Sequence, residues 1–78
     1  MKKFIVRSAS KRHPDKVVKL EFPQATGARA EFYATLKNAS LYCSIELYET
    51  QDDGLTPARM LASYDDHLQK QIMNRQMA

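Results

Sequence analysis

The stretch from Thr26 to Glu49 carries two different apolar periodicities in direct succession. In its first half, apolar and small residues recur at spacings of three and four, as on one face of a helix. These residues are Ala28, Phe32, Thr35, Leu36 and Ala39. In its second half, outward and inward positions alternate, as in a strand with one buried side. The inward positions are Leu41, Cys43, Ile45 and Leu47, and the outward ones are Tyr42, Ser44, Glu46 and Tyr48. A helix and a strand this close should bury their apolar sides against each other, which predicts an α+β fold.

Two further strands are expected before this stretch. The first runs from Lys3 to Ser8 and the second from Lys16 to Phe22, joined by a polar connection that contains Pro14. Pro23 lacks a backbone donor and should end the second strand. The side chains expected to face the core are Phe4, Val6 and Ser8 from the first strand and Val18, Leu20 and Phe22 from the second.

A second helix is predicted after the loop at residues 51–54. Thr56 offers a hydroxyl cap and Pro57 suits the first helical position, so the helix should run from there to about Gln71 or Arg75. Its apolar stripe consists of Met60, Leu61, Tyr64, Leu68 and Ile72. The first helix should begin near Thr26, with Thr26 as its cap, although Gly27 allows a start two or three residues earlier.

The resulting element order is β-β-α-β-α in one domain spanning residues 1–78, with residues 73–78 expected to fray. Two strand orders are compatible with this sequence of elements. We favour the order 2-1-3, a three-stranded antiparallel sheet with the first strand central and both helices on one face. The core should bring together Phe32, Leu36, Ile45, Leu20 and Leu68.

Composition narrows the class of protein further. The chain is 44% apolar and 27% charged, as in ordinary globular domains, and no apolar run approaches the length that spans a bilayer. The single cysteine, Cys43, cannot form an internal disulfide, which fits a reducing compartment. We therefore expect a cytoplasmic protein.

No pattern in the sequence indicates a catalytic, metal or cofactor site. His13 and His67 have no cysteine or carboxylate at metal-ligand spacing, and Gly27 and Gly54 are too far apart for a phosphate loop. The acidic pairs Asp52-Asp53 and Asp65-Asp66 are typical of solvated charges rather than of general acid–base pairs. We expect no enzyme activity and no cofactor.

The positive charge is concentrated in the first half of the chain. Residues 1–37 contain nine Lys or Arg and three Asp or Glu, a balance of +6, whereas residues 38–78 contain three and six, a balance of −3. The predicted hairpin gathers Arg7, Lys11, Arg12, Lys16 and Lys19. Such a cluster can engage phosphates or an acidic protein surface. It can also be a solvated edge that discourages sheet pairing between molecules.

Two tyrosines complete the candidate binding surface. Tyr42 and Tyr48 are expected on the outer sheet face with Arg7, where aromatic and arginine side chains could anchor a protein partner. In a competing layout the second helix covers this face, and both tyrosines are then core residues. Aromatic rings on an open sheet can also stack on single-stranded nucleic acid, but Glu46 between them would repel phosphates.

Three functions remain compatible with these patterns. The first is a small non-enzymatic regulator, inhibitor or adaptor that docks on a larger protein, a format shared at the level of fold by some proteins of phages and other mobile elements. The second is a nucleic-acid-binding module that uses the basic hairpin. The third is a structural homodimer formed through a weaker apolar side of the second helix, made by Ala58, Ala62, Met73 and Met77.

Overall fold

The computed structural model of the chain describes residues 1–66. The elements are β1 (Phe4–Ser10), β2 (Val17–Phe22), α1 (Ala25–Leu36), a short 3-10 turn (Ala39–Leu41), β3 (Tyr42–Thr50) and β4 (Pro57–Asp65). No helix within residues 1–66 has the length and apolar character needed to cross a membrane.

The four strands form one antiparallel sheet in the order β2-β1-β3-β4. The predicted order 2-1-3 with β1 in the centre is confirmed for the first three strands. The prediction of three strands and two helices is wrong, because β4 adds a fourth strand beside β3. Of the two predicted helices, α1 is the one present among residues 1–66.

The core lies between α1 and one side of the sheet, which we call the helix face. Ala28 and Phe32 of α1 are buried there against Val6, Ile45 and Leu47, all at most 3% exposed. In the strand register Val6 lies opposite Leu47, so β1 and β3 together form the floor on which the helix packs. The predicted core positions Phe32 and Ile45 are thus confirmed.

The other predicted core residues behave differently. Leu36 is half-buried at the margin of the core, but Leu20 is 41% exposed. The expectation that Leu20 is buried is wrong because β2 is the edge strand and α1 extends mainly over β1 and β3. Leu68 lies outside the described residues.

Residues 57–65, predicted to form a helix, pair with β3 as a strand. Ala62 lies opposite Leu47 and Tyr64 opposite Ile45, and both side chains pack against the core. The helical reading failed because β4 carries irregularities in its register, one of them between Leu47 and Tyr48 on its partner strand. A bulge inserts one extra residue and interrupts the two-residue alternation of a strand. The spacing of Met60, Leu61 and Tyr64 therefore resembles that of a helix.

Thr56 and Pro57, which were expected to start a helix, lie instead at the end of a loop and at the start of β4. Asp53 accepts hydrogen bonds from the amides of Leu55 and Thr56, each 2.9 Å long, and from the Thr56 hydroxyl. Gly54 supplies the left-handed backbone, with φ of 71°, that this turn requires. Pro57 then opens an edge strand, a position where its missing donor is tolerated.

The helix α1 begins at Ala25, and its cap lies two residues before Thr26, within the earlier start that Gly27 allows. Gln24 is its extended N-cap residue, and the expected capping role of Thr26 is wrong because Thr26 lies inside the helix. A side chain at Gly27 would meet the Phe22 ring at 3.3 Å. Glycine therefore lets the first turn of α1 approach the end of β2 closely.

Replacing Phe32 by alanine should destabilise the fold by about 3–5 kcal/mol, since it removes the largest helix side chain from the core. Chemical denaturation of the wild-type and Phe32→Ala proteins measures this difference. Leu55→Ala is the control, because Leu55 is 75% exposed and should change the free energy of unfolding little. Equal stability of all three proteins would contradict the assigned core.

The Asp53 loop predicts a pH dependence. Hydrogen bonds from the Thr56 hydroxyl and from the Leu55 and Thr56 amides lower the pKa of Asp53 from 3.8 to about 2. The ionised carboxylate therefore stabilises the folded chain above pH 3.8, and this contribution is lost as the pH falls through about 2.

Asp53→Asn should thus destabilise the protein near neutral pH, and the difference from wild type should shrink as the pH approaches 2. Asp52→Asn is the matched control, because the Asp52 carboxylate makes no hydrogen bond to a described residue. A carboxyl resonance of Asp53 that titrates near pH 4 in the folded protein would rule this out.

Candidate functional site

The seven candidate residues fall into two groups on opposite sides of the sheet. Lys16 and Tyr42 border the helix face, and Lys11 and Arg12 lie in the adjoining β1–β2 loop. Arg7, Lys19 and Tyr48 lie on the opposite side, which we call the open face. The expectation of a single surface that joins all seven residues is not met by this arrangement.

A groove of about 330 Å³ opens on the helix face between α1 and the hairpin of β1 and β2. Val18 and Leu20 of β2 form its apolar side, at 55% and 41% exposure. Thr35 and Glu31 border it from α1. This groove exists because β2 extends beyond the sheet area that α1 covers.

Positive charge borders the loop end of the groove. Lys16 and His13 line this end, and both are exposed to solvent. Neither the Lys16 nor the His13 side chain forms an ion pair with a described residue. A basic group bordering an apolar groove can attract a ligand that is apolar with an acidic flank.

A second depression adjoins the groove at Ser10, which lines both. It is bordered by Lys11, Arg12 and the exposed Leu41. Lys11 forms an ion pair with Asp66 at 3.5 Å, whereas the Arg12 side chain has no ion-pair partner within residues 1–66. Arg12 is therefore available to a ligand that extends beyond the groove.

Tyr42 reaches the groove because of a bulge in β3. Ala9 pairs with Ser44 and Ser10 with Tyr42, so Cys43 is the extra residue. This offset places Tyr42 on the helix face, half-buried against the core. The prediction that Tyr42 lies exposed on the outer face is wrong, since strict alternation cannot account for an inserted residue.

The open face is dominated by an interaction between β1 and β3. Arg7 and Glu46 are directly opposite each other, and the Arg7 Nε donates to Glu46 Oε1 at 2.8 Å. The Arg7 guanidinium also lies 5.6 Å from the centre of the Tyr48 ring, a cation–π distance. Arg7 is thus held by two neighbours and is less available to a partner than an isolated arginine.

Tyr48 lies on the open face as predicted but is not exposed there. Its side chain is 5% accessible, and its cross-strand neighbours are Ile5 and Met60. Ile5 is itself 4% exposed. Tyr48 therefore packs with Ile5 on this face, and the expectation that its ring is exposed is wrong.

The charges of the open face are mixed. Lys19 lies opposite Arg7 on one side, while Glu21, Glu46 and Asp65 occupy positions on the same face. Lys3, which pairs with Glu21 at 3.1 Å, adds a third cation, so the charges are close to balance and leave no strong positive field here that would attract phosphates.

Within residues 1–66, no three His, Cys, Asp or Glu side chains are arranged to hold a metal ion.

Comparison with known proteins found no matching family model, no similar curated protein and no similar solved structure.

Sequence reasoning did not identify the side chains that line the groove from β2 and α1. Val18 and Leu20 were assigned to the core by alternation, and Thr35 to the apolar stripe of the helix. The signal that could have identified them is the position of β2 at the end of the predicted order 2-1-3. An edge strand under a single helix is covered less completely than the central strand.

Because Tyr48 is buried, Tyr48→Ala should lower the free energy of unfolding by about 3–5 kcal/mol. Tyr33→Ala is the control, since Tyr33 is 53% exposed and keeps an edge-to-face contact with Phe32 that is worth about 1 kcal/mol. Denaturant titrations of the two variants measure the difference. If Tyr48→Ala is as stable as Tyr33→Ala, the packing of Tyr48 with Ile5 does not contribute to folding.

Proposed function

We propose that this protein is a small protein-binding regulator or adaptor that docks on a larger partner through the groove between α1 and the β1–β2 hairpin. The supporting observation is an apolar groove with exposed Val18 and Leu20 and with Lys16, which has no ion-pair partner among residues 1–66, at its loop end. Burial of exposed aliphatic side chains against a partner lowers the free energy, and Lys16 at the loop end of the groove favours an acidic occupant. The partner element is therefore an apolar segment with acidic residues at one end.

This surface retains four of the candidate residues. Lys16 and Tyr42 border the groove, while Lys11 and Arg12 border the depression that continues from it at Ser10. A segment in the groove could extend past Ser10 and place a carboxylate near Arg12. Such charged contacts at the margin would mainly accelerate association and fix the orientation of the segment.

Nucleic-acid binding is the alternative, and the distribution of charge favours it less. Arg7 and Lys19 lie on the other face among three carboxylates, and Arg7 is paired with Glu46. Lys11 is already paired with Asp66. This leaves Arg12 and Lys16 as the cations near the groove without an ion-pair partner among the described residues, too few for strong backbone recognition.

Synthetic peptides test the proposal without knowledge of the partner. Each peptide of the first set is an apolar segment of leucine or valine with glutamate residues at one end. A matched set has lysine at each glutamate position. We expect the acidic set to bind with higher affinity in fluorescence anisotropy and to shift the methyl resonances of Val18 and Leu20.

A charge-reversed protein provides the second arm of this experiment. The double substitution Arg12→Glu and Lys16→Glu should weaken binding of the acidic peptides by about tenfold or more. It reverses the two cations near the groove that have no ion-pair partner within the described part of the chain. Arg29→Glu is the control, because it changes charge on an exposed part of α1 outside the groove. Equal affinity for acidic and basic peptides would contradict the proposal.

Oligonucleotides distinguish the alternative. Binding of labelled single-stranded or duplex DNA is measured at several salt concentrations. For a protein that contacts phosphates, a plot of log affinity against log salt concentration falls with a slope of about 0.7–0.9 for each phosphate contacted. If this slope is found and the double substitution reduces it, the protein is a nucleic-acid-binding module instead.

A further inference from the structure

The outer edge of β2 is an unusually accessible strand edge. β2 lies at the end of the sheet, and Val17, Val18 and Leu20 are all more than 40% exposed. Its pairing with β1 is regular from Val17 to Phe22, with no bulge and no internal proline. A regular, apolar strand edge whose outer backbone groups have no hydrogen-bond partner among residues 1–66 is a template for pairing with another strand.

The opposite edge of the sheet is less suited to this role. β4 begins with Pro57, and its pairing with β3 contains two register shifts. Bulges and proline are devices that protect an edge from intermolecular pairing. Of the two edge strands, β2 is therefore the one left open.

The sequence of β2 complements itself in one antiparallel register. Antiparallel pairing of two copies places a twofold axis perpendicular to the sheet, so that side chains on the same face meet. With Leu20 opposite Leu20 of the second copy, Lys19 lies opposite Glu21 and Val18 opposite Phe22. Opposite charges across an antiparallel pair stabilise it, and the relation occurs twice by symmetry.

Neighbouring registers lack this complementarity. A slide of two residues in one direction, which keeps the same faces together, brings Lys19 opposite Lys19, and the same slide in the other direction brings Glu21 opposite Glu21. Like charges directly opposite each other destabilise a strand pair. The charges of β2 therefore select the register centred on Leu20.

Both charged side chains can take part in this pairing. The Lys19 side chain makes no ion pair with a described residue and lies opposite the like-charged Arg7. Glu21 contacts Lys3 at 3.1 Å through Oε2 at an exposed site. A carboxylate of the second copy would relieve the repulsion between Lys19 and Arg7.

We propose that the second copy of this chain docks on the edge of β2, joining two four-stranded sheets into one eight-stranded antiparallel sheet. The pairing is centred on Leu20, with Lys19 of each copy facing Glu21 of the other. This interface uses the backbone edge of β2 and differs from the dimer through a second helix expected from the sequence, since residues 57–65 form β4. It does not depend on the function proposed for the groove.

Complementary charge variants test the register directly. Lys19→Glu alone creates two Glu–Glu pairs across the interface, and Glu21→Lys alone creates two Lys–Lys pairs. Each single variant should raise the dimer dissociation constant by about tenfold or more. An equimolar mixture of the two should form a heterodimer, because both cross-strand pairs again join opposite charges.

Sedimentation equilibrium over a range of concentrations measures these dissociation constants, and circular dichroism checks that each variant is folded. Both substituted side chains are exposed, so the folded monomer should tolerate them. Arg59→Glu is the control on the β4 edge and should leave dimerisation unchanged.

Three outcomes would overturn the proposal. The first is a wild-type protein that stays monomeric at every concentration. The second is undiminished association of both single variants, or a mixture that associates no better than each variant alone. The third is loss of the dimer on Arg59→Glu, which would move the interface to β4. If the acidic peptides fail to bind, the proposal of a groove-binding function is wrong but the dimer proposal still stands. The two proposals are therefore tested independently.

Discussion

The packing of Phe32 onto the β1–β3 pair is the contact on which the rest of this fold depends. One helix side chain and the small Ala28 cover Val6, Ile45 and Leu47, and this is the best-buried part of the molecule. A short chain can bury only a limited fraction of its surface, and α1, the one helix among residues 1–66, cannot cover four strands. The strands at the two ends of the sheet are covered less, and the groove and the open edge of β2 follow from this shortage.

The sequence predicted the centre of this arrangement correctly. The spacing of Ala28 and Phe32 identified the helix, and the alternation of Ile45 and Leu47 identified β3, because each element is regular where it packs. The hairpin of β1 and β2 then left the order 2-1-3 as the wholly antiparallel solution. Local pattern and tertiary structure agree wherever regular elements meet the core.

The sequence could not predict the irregular parts of β3 and β4. A bulge at Cys43 moves Tyr42 from one face to the other, and register shifts give Met60, Leu61 and Tyr64 helical spacing within a strand. Thr56 and Pro57 supply a helix-start signal that a loop and an edge strand satisfy equally well. In each case the position of one inserted residue decides the structure, and it depends on the partner strand.

The placement of charge connects the two proposed surfaces. Pairing of β2 around a perpendicular twofold axis would leave both α1 helices, and hence both grooves, on the same side of a continuous sheet. The grooves would then lie next to each other, with Val18 and Leu20 of both copies between the helices. A partner that carries two suitable segments would bind the second one at a high effective concentration, without any additional contact within either groove. Lys19 and Glu21 on the open face would thus influence affinity on the helix face by controlling whether two grooves are held together.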